Sequence, residues 1–236
     1  MTGLYHRHPY PGRLIVVEGI DGSGKSTQLH LIHRWLEAEG YRVFFTEWNS
    51  SDLVRRAIRR GKKKDLLTPT TFSLLHAADF ADRLVYQIMP PLKGGMIVLA
   101  DRYIFTLIAR AAVRGIGRDY LHGIYETALR PDLTFWLNVR PEVAFDREFK
   151  KSQIISYWES GRDMSLSNDL FQSFIRYQSM IKREFEYLSK RHGFIEMDGE
   201  SSVSNLNRLL RKRIAAHLGI RSTHYRPSHA LSHLWR

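Results

Sequence analysis

The sequence contains no cysteine and no long apolar run. Without cysteine the chain can form neither disulfides nor thiolate metal sites, which fits the reducing cytoplasmic location that we expect. No apolar stretch approaches the roughly 20 residues of a membrane-spanning helix, so we expect a soluble protein without a membrane partner. We also expect no signal peptide, because the first apolar run is only a short predicted strand.

The sequence also has fewer acidic than basic residues. The 236 residues include 36 Lys and Arg but only 24 Asp and Glu, which gives a net charge of +12. This charge predicts acidic partners, either nucleotides or nucleic acid. Part of the excess lies in residues 55–64, which we interpret as a solvated helix end and loop. No interleaved aromatic residues suggest a base-stacking surface in that run.

Short apolar runs alternate with segments of helical periodicity along the chain. Five runs are predicted strands: Leu14–Val17, Val43–Thr46, Met96–Ala100, Leu133–Val139 and Phe194–Met197. Three longer segments are predicted helices: Pro69–Met89, ended by Pro90-Pro91, then Leu170–Leu188 and Val203–Leu218. Alternating strands and helices predict an α/β domain with a parallel sheet, whose ligands bind at the carboxyl ends of the strands.

The termini lack this periodicity. Residues 1–12 are predicted to be an irregular lead-in, residues 13–218 the folded domain, and residues 219–236 a loosely ordered basic tail.

A glycine-rich loop follows the first predicted strand. Its pattern is G-x-x-x-x-G-K-[ST], and with a strand before it and a helix after it the context is that of a phosphate-binding loop. The glycines let successive backbone N–H groups point at phosphate oxygens, and the helix start adds its positive dipole end. Lys25 is expected to reach the β- and γ-phosphates, and the Ser26 hydroxyl to ligate Mg²⁺. The predicted ATP-binding loop residues are Gly19, Ile20, Asp21, Gly22, Ser23, Gly24, Lys25, Ser26 and Thr27.

A second motif, Asp101-Arg102-Tyr103, ends another predicted strand. An acidic residue at this place can hold Mg²⁺, directly or through water, so Asp101 joins Ser26 as a predicted metal ligand. The alternative for Asp101 is the N-cap of the following helix. Arg102 favours the metal site, because a guanidinium can bridge the donor and acceptor phosphates.

Together these motifs resemble the thymidylate kinase family, in the nucleoside monophosphate kinase group of P-loop proteins. The resemblance covers about residues 13–215 and includes Arg130-Pro131-Asp132-Leu133 and the segment 141–147, which matches the family's entry into a mobile lid. It implies a P-loop nucleotide kinase fold, with a five-stranded parallel sheet flanked by helices and a short lid at about residues 147–164. Relatives are commonly dimers, so a homodimer is a further expectation.

The resemblance also implies transfer of the γ-phosphoryl group of Mg-ATP to a small nucleotide, with dTMP as the default acceptor. Asp21 is expected to face the acceptor sugar, and Arg102 to hold the acceptor phosphate. Ser23 occupies a loop position at which some relatives place an arginine. The lid should then supply that arginine, with Arg147 as the first candidate and Arg162 as the second. The catalytic candidates are Lys25, Asp101, Arg102 and Arg147, and both lid arginines are ATP-binding candidates.

The acceptor side departs from the family pattern. Glu47 stands where the family's T-R-x-P has its arginine, so Arg55 or Arg56 is expected to compensate. In the segment that matches F-[AS]-[AS]-[DN]-R, His76 replaces the stacking aromatic residue and Phe80 replaces the arginine that binds the base.

Two arginines are further candidates near this altered segment. Arg83 lies one helical turn after Phe80, and Arg110 with Ala111 replaces an aromatic–polar pair after D-R-[YF]. The acceptor-binding candidates are Asp21, Trp48, Arg55, His76, Phe80, Arg83, Arg102 and Arg110.

The ATP-binding motifs match the family pattern, whereas the acceptor-binding motifs depart from it. Three alternatives therefore stay open. One is a kinase of this fold with another phosphorylated acceptor, such as a modified pyrimidine nucleotide. Another is a P-loop NTPase that binds nucleic acid through its basic surface, although Arg102 and the lid pattern weigh against it. The last is a relative that binds ATP without catalysis, which the presence of Lys25, Ser26 and Asp101 disfavours.

Overall fold

The computed structural model describes residues 6–64 and 66–220. It contains a five-stranded sheet in the order β2-β3-β1-β4-β5, and every neighbouring pair is parallel. The strands are β1 Arg13–Glu18, β2 Val43–Glu47, β3 Ile97–Asp101, β4 Leu133–Asn138 and β5 Ile195–Asp198. The predicted α/β fold with five parallel strands is therefore confirmed, and each strand boundary lies within one residue of its predicted position.

Helices cover both faces of the sheet. They are α1 Lys25–Ala38, α2 Arg55–Lys63, α3 Pro69–Arg83, α4 Met89–Lys93, α5 Ile104–Ala112, α6 Arg118–Ile124, α7 Pro141–Ser152, α8 Leu170–His192 and α9 Val203–Leu218. No helix in the two described ranges is long and apolar enough to cross a membrane.

The central strand β1 divides the core into two layers. Successive side chains of a strand point to opposite faces of the sheet, so Leu14 and Val16 pack on one side and Ile15 and Val17 on the other. The first side carries α5 and α8, and the second carries α1 and α9. Burial on both faces explains why β1 is a continuous apolar run.

The helix predicted to end at Pro90-Pro91 does not end there. Helix α3 passes into a π-helical turn, Leu84–Ile88, and the chain continues as α4 with both prolines in its first turn. Proline has no N–H to donate, but the first helical turn needs no such donor. The wider π turn therefore lets the chain continue where a regular α-helix would be broken.

The lead-in and tail are described only in part. Residues 6–12 form neither helix nor strand, and His6 makes an isolated bridge to Leu129. Of the predicted tail, residues 221–236 lie outside the described residues.

The strand order brings the two sequence motifs together. Val17 of β1 pairs in register with Asp101 of β3, so the glycine-rich loop and the Asp101-Arg102 turn leave the sheet at the same edge. The chain moves from β1 to β2 on one side and later reaches β4 on the other side. Such a reversal opens a crevice at the carboxyl ends of the strands, where α/β proteins bind ligands.

Candidate active site

The glycine-rich loop is curled tightly between β1 and α1. Gly22 and Gly24 have φ angles of +76° and +91°, which side-chain-bearing residues rarely adopt. At Gly22, an added Cβ would lie 2.3 Å from the carbonyl oxygen of Ala144 on α7. Close backbone packing therefore requires glycine at this position.

Lys25 lies inside this loop. Its Nζ donates to the carbonyl oxygen of Ile20 at 2.7 Å and to Ser23 Oγ at 3.1 Å. Burial and, next, the nearby Arg102 lower the pKa of Lys25 to about 8, against the opposing effect of nearby carboxylates. A phosphate bound in the loop would supply the anionic partner that this ammonium group needs.

Ser26 and Asp101, the predicted metal ligands, are brought together. Ser26 Oγ donates to Asp101 Oδ2 at 2.6 Å. The described residues contain no group of three or more His, Cys, Asp or Glu that could hold a metal by itself. Two hard oxygen donors fit Mg²⁺ that arrives with a nucleotide, since this ion usually keeps water and phosphate ligands.

Asp21 anchors two arginines on the other side of the loop. Arg102, at a φ of +66°, donates to Asp21 Oδ1, and Arg110 donates to Oδ2 at 2.5 Å. Gln178 also donates to Oδ2, at 2.9 Å. Burial alone would raise the pKa of Asp21, but Arg110 and Arg102 hold it well below its usual value. Asp21 is therefore a fixed anion that orients both guanidinium groups.

Buried Glu18 holds the turn that carries Arg102. It accepts hydrogen bonds from the backbone N–H groups of Tyr103 and Thr106, at 2.8 and 3.2 Å, and from the Thr106 hydroxyl at 2.5 Å. Burial raises the pKa of Glu18, although these hydrogen bonds act in the opposite direction. Glu18 thereby fixes the backbone next to Arg102.

Arg83, a predicted acceptor residue, belongs to the same framework and does not line the cavity described below. Its Nε donates to Thr46 Oγ1 at 2.8 Å. Its Nη2 donates to the carbonyl oxygens of Thr46 and Arg102, at 3.2 and 3.0 Å. The side chain is fully buried and ties the end of β2 to the Arg102 turn.

Phe80 and Arg55, two more predicted acceptor residues, lie in the core and at the surface. Phe80 packs edge-on against Tyr103 and Tyr125 in the core, since it lies on the buried face of α3. Arg55 lies at the surface and pairs with Asp52 at 2.5 Å. Neither residue lines the cavity described below.

Asp79 and His76 shape the loop after β2. Asp79 accepts hydrogen bonds from the N–H groups of Asn49 and Ser51, at 2.9 and 3.0 Å. His76 stacks on Trp48 with ring centres 4.6 Å apart. The predicted acceptor residues Trp48 and His76 are therefore adjacent, and Arg110 lies over the Trp48 ring at 5.0 Å.

Lys62 lies beside Trp48, although the sequence predicts that its basic run is solvated. Its Nζ lies 5.3 Å from the centre of the Trp48 ring, and burial lowers its pKa to about 8. Helical spacing is the signal that would have found it. Lys62 lies four residues after Ile58, which is buried, and residues four apart share a helix face.

A cavity of about 530 Å³ joins the loop to the acceptor side. Its lining residues are Asp21, Gly22, Ser23, Gly24, Lys25, Ser26, Thr27, Gln28, Glu47, Trp48, Asp101, Arg102, Arg147, Glu148, Lys151, Glu159, Gly199, Ser201, Val203 and Leu206. Gly19 and Ile20 precede this lining at the start of the loop. The cavity therefore joins most of the predicted ATP-binding residues to three of the predicted acceptor residues, Asp21, Trp48 and Arg102. The other acceptor candidates do not line it: Arg55, His76, Phe80, Arg83 and Arg110.

The two arginines that the sequence predicts for a lid occupy different environments. Arg147, on α7, lines the cavity and donates to the carbonyl oxygen of Gly199 at 2.8 Å. Arg162 is exposed in a single turn of 3₁₀ helix, Arg162–Met164, and is not part of the lining. The segment 153–169 is joined to α2 by Trp158, whose Nε1 donates to the Lys62 carbonyl oxygen at 3.2 Å.

Comparison with known proteins agrees with this geometry. The family model described as thymidylate kinase matches residues 17–203. A protein named "Probable thymidylate kinase 2" from Saccharolobus solfataricus is 39% identical over 208 residues, which cover 88% of this chain and 97% of that relative.

More distant relatives match a shorter part. "Probable thymidylate kinase" of Thermococcus kodakarensis is 34% identical, over 56% of this chain and 69% of its own length. "Thymidylate kinase" of Caldicellulosiruptor saccharolyticus is 37% identical, over 58% of this chain and 69% of its own length. The resemblance inferred from the motifs is thus confirmed, and the chain belongs to the thymidylate kinase family.

Proposed function

We propose that this protein transfers the γ-phosphoryl group of ATP to dTMP, forming dTDP and ADP. The observation that carries the proposal is the single cavity that contains both the phosphate loop and Arg102. A nucleotide-hydrolysing module needs only the first of these. Family membership and the names of the relatives favour dTMP over the alternatives considered from the sequence.

The donor nucleotide is assigned to the loop. Backbone N–H groups of residues 19–27 and the ammonium group of Lys25 would bind its β- and γ-phosphates. Ser26 and Asp101 would hold Mg²⁺, which when bound neutralises charge on those phosphates. Arg147 lines the same cavity and is assigned to the charge that develops on the transferred group.

The acceptor phosphate is assigned to Arg102, with Arg110 beside it. Both side chains are already oriented by Asp21. This second guanidinium group compensates for Glu47, which stands where the family pattern has arginine. Transfer to a phosphate oxygen requires no general base, because the acceptor is already an anion. Positioning and electrostatic stabilisation therefore account for the proposed chemistry.

The test is ADP release from Mg-ATP in the presence of dTMP, dUMP, dCMP, dGMP or UMP, with a blank that lacks acceptor. We expect strong turnover that depends on dTMP, and its loss in Lys25→Met. Lys93→Met is the matched control, since Lys93 is exposed on α4. ADP release that is equal with and without acceptor would contradict the proposal, as would a strong preference for a purine nucleotide.

The homodimer and the cytoplasmic location stay predictions. The lid at residues 147–164 is likewise proposed, on the basis of Arg147 and of Trp158, which joins the segment 153–169 to α2.

A further inference from the structure

A buried glutamine interrupts the apolar face of α8. Phe174, Ile181 and Phe185 lie on the buried face of this helix, and Gln178 lies between them at helical spacing. The Gln178 side chain is fully buried. An apolar residue would pack there without the cost of withdrawing an amide group from water. Core packing therefore does not explain why this residue is glutamine.

Both ends of the Gln178 amide group are hydrogen-bonded. Its Nε2 donates to Asp21 Oδ2 at 2.9 Å and to the carbonyl oxygen of Glu159 at 2.8 Å. Its Oε1 accepts from the backbone N–H of Asp21 at 3.3 Å. A reversed amide would place its N–H groups against the Asp21 N–H, so these contacts allow only one orientation of the group.

Gln178 thereby holds Asp21 by its backbone and by its carboxylate. The same carboxylate binds two guanidinium groups, since Arg102 donates to Oδ1 and Arg110 donates to Oδ2. Rotation of the carboxylate would displace both arginines from their present positions. A third donor on Oδ2 opposes this rotation, and because an amide is neutral it adds no positive charge to the two guanidinium groups.

The contact with Glu159 fixes the amide at its other end. Glu159 lines the cavity, and the next residue, Ser160, is fully buried. The Ser160 carbonyl oxygen accepts from Ser173 Oγ at 2.8 Å, so two consecutive carbonyl groups bind buried residues of α8. Of these two hydrogen bonds to α8, only the one from Gln178 is made by a side chain that also binds Asp21.

We propose that Gln178 is a positioning residue, which holds the Asp21 carboxylate in the orientation that presents Arg102 and Arg110 to the acceptor phosphate. This inference rests on the proposed kinase function, in which that phosphate binds at Arg102. Gln178 acts through Asp21, since its own side chain does not line the cavity. Its replacement should therefore weaken contacts to the acceptor phosphate more than contacts to the nucleoside.

The test is equilibrium binding of dTMP and of thymidine, which lacks the phosphate, to the full-length protein with Mg-ADP, measured by titration calorimetry. Gln178→Met keeps a side chain of similar length and removes all three hydrogen bonds. We expect the ratio of dTMP affinity to thymidine affinity to fall about tenfold, because charge-assisted hydrogen bonds depend strongly on geometry. The affinity for ADP should change by less than about twofold, since the donor phosphates are assigned to other residues.

Ser173→Ala is the matched control for a merely structural role. It removes a buried hydrogen bond to the same stretch of chain but none to Asp21. It should lower Tm and keep the ratio of dTMP affinity to thymidine affinity. Gln172→Met should change neither quantity, because Gln172 is exposed on the same helix.

An unchanged ratio in Gln178→Met would overturn the inference, as would an equal loss in Ser173→Ala. Equal weakening of dTMP and thymidine would also overturn it, because Gln178 would then support the whole pocket. A wild type that binds dTMP without phosphorylating it would refute the kinase proposal and leave this comparison measurable. A wild type that does not bind dTMP would overturn both. Thermal melts accompany each variant, and Gln178→Leu replaces Gln178→Met if the latter does not fold.

Discussion

Replacement of Gly22 by alanine should destabilise the protein for two separable reasons. The first is conformational, because a φ of +76° costs an alanine about 1–2 kcal/mol. The second is steric, because the new methyl group would lie 2.3 Å from the Ala144 carbonyl oxygen and 3.0 Å from its Cα. Both atoms are backbone atoms of α7, so no side-chain rotation relieves the contact, and overpacking of this kind costs about 1–3 kcal/mol.

Gly24 offers a control within the same loop. Its φ is +91°, but an added Cβ would meet no atom within 4 Å. Gly24→Ala should therefore cost only the conformational part, about 1–2 kcal/mol. For a chain of this length about 1 kcal/mol lowers Tm by roughly 2–4 °C, so we expect losses of about 4–20 °C for Gly22→Ala and about 2–8 °C for Gly24→Ala.

The assay is thermal unfolding of both variants beside the wild type, without nucleotide, followed by circular dichroism. Omitting nucleotide matters, because either substitution also disturbs the phosphate site and ligand binding would then shift Tm. Equal Tm losses in the two variants would refute the argument that contact with α7 requires glycine. The two results would also show whether α7, which carries Arg147, is held by the loop.

Three further substitutions test individual assignments. Because the Lys25 pKa is lowered to about 8, kcat/KM for ATP should fall about tenfold between pH 7 and pH 9 as the ammonium group loses its proton. That decline in kcat/KM should vanish in Lys25→Arg but persist in Lys62→Met. If it vanished only in Lys62→Met, the titrating group would be Lys62. Arg147→Met should lower kcat about 10³-fold with little change in ATP affinity, whereas the exposed Arg162→Met should keep kcat, and an effect confined to affinity would contradict the Arg147 assignment. Arg83→Met should lower Tm by about 6 °C or more, because it removes three hydrogen bonds to buried acceptor atoms. The variant's preference for dTMP over dCMP should be unchanged. An altered preference with a normal Tm would indicate that Arg83 binds the acceptor.

The position of the predicted ATP-binding residues could be read from the sequence, because these residues are close together along the chain. The phosphate-loop pattern from Gly19 to Ser26 consists of consecutive residues, and the apolar run before it predicts the buried strand β1. Asp101 was also predictable, since residues that end neighbouring parallel strands meet at one edge of the sheet. The prediction needed no knowledge of side-chain packing.

The acceptor side could not be predicted in this way because its residues meet only in the folded chain. The spacing of Arg83 after Phe80 does not reveal that its guanidinium group donates to carbonyl oxygens of β2 and of the Arg102 turn. Lys62 looked solvated because its neighbours in sequence are basic. The burial of Lys62 depends on how α2 packs beside Trp48 and Phe72. The sequence of residues 55–64 alone does not specify this packing.

The pairing of Asp21 with Arg102 and Arg110 affects how strongly salt should weaken acceptor binding. Before an acceptor arrives, both guanidinium groups already have an anionic partner that belongs to the protein. An acceptor phosphate bound there, as proposed, would join an existing ion pair, and its binding free energy would be a difference between two electrostatic interactions. These charges are also largely shielded from dissolved ions by burial. We expect acceptor affinity to depend on ionic strength much less than the net charge of +12 would suggest.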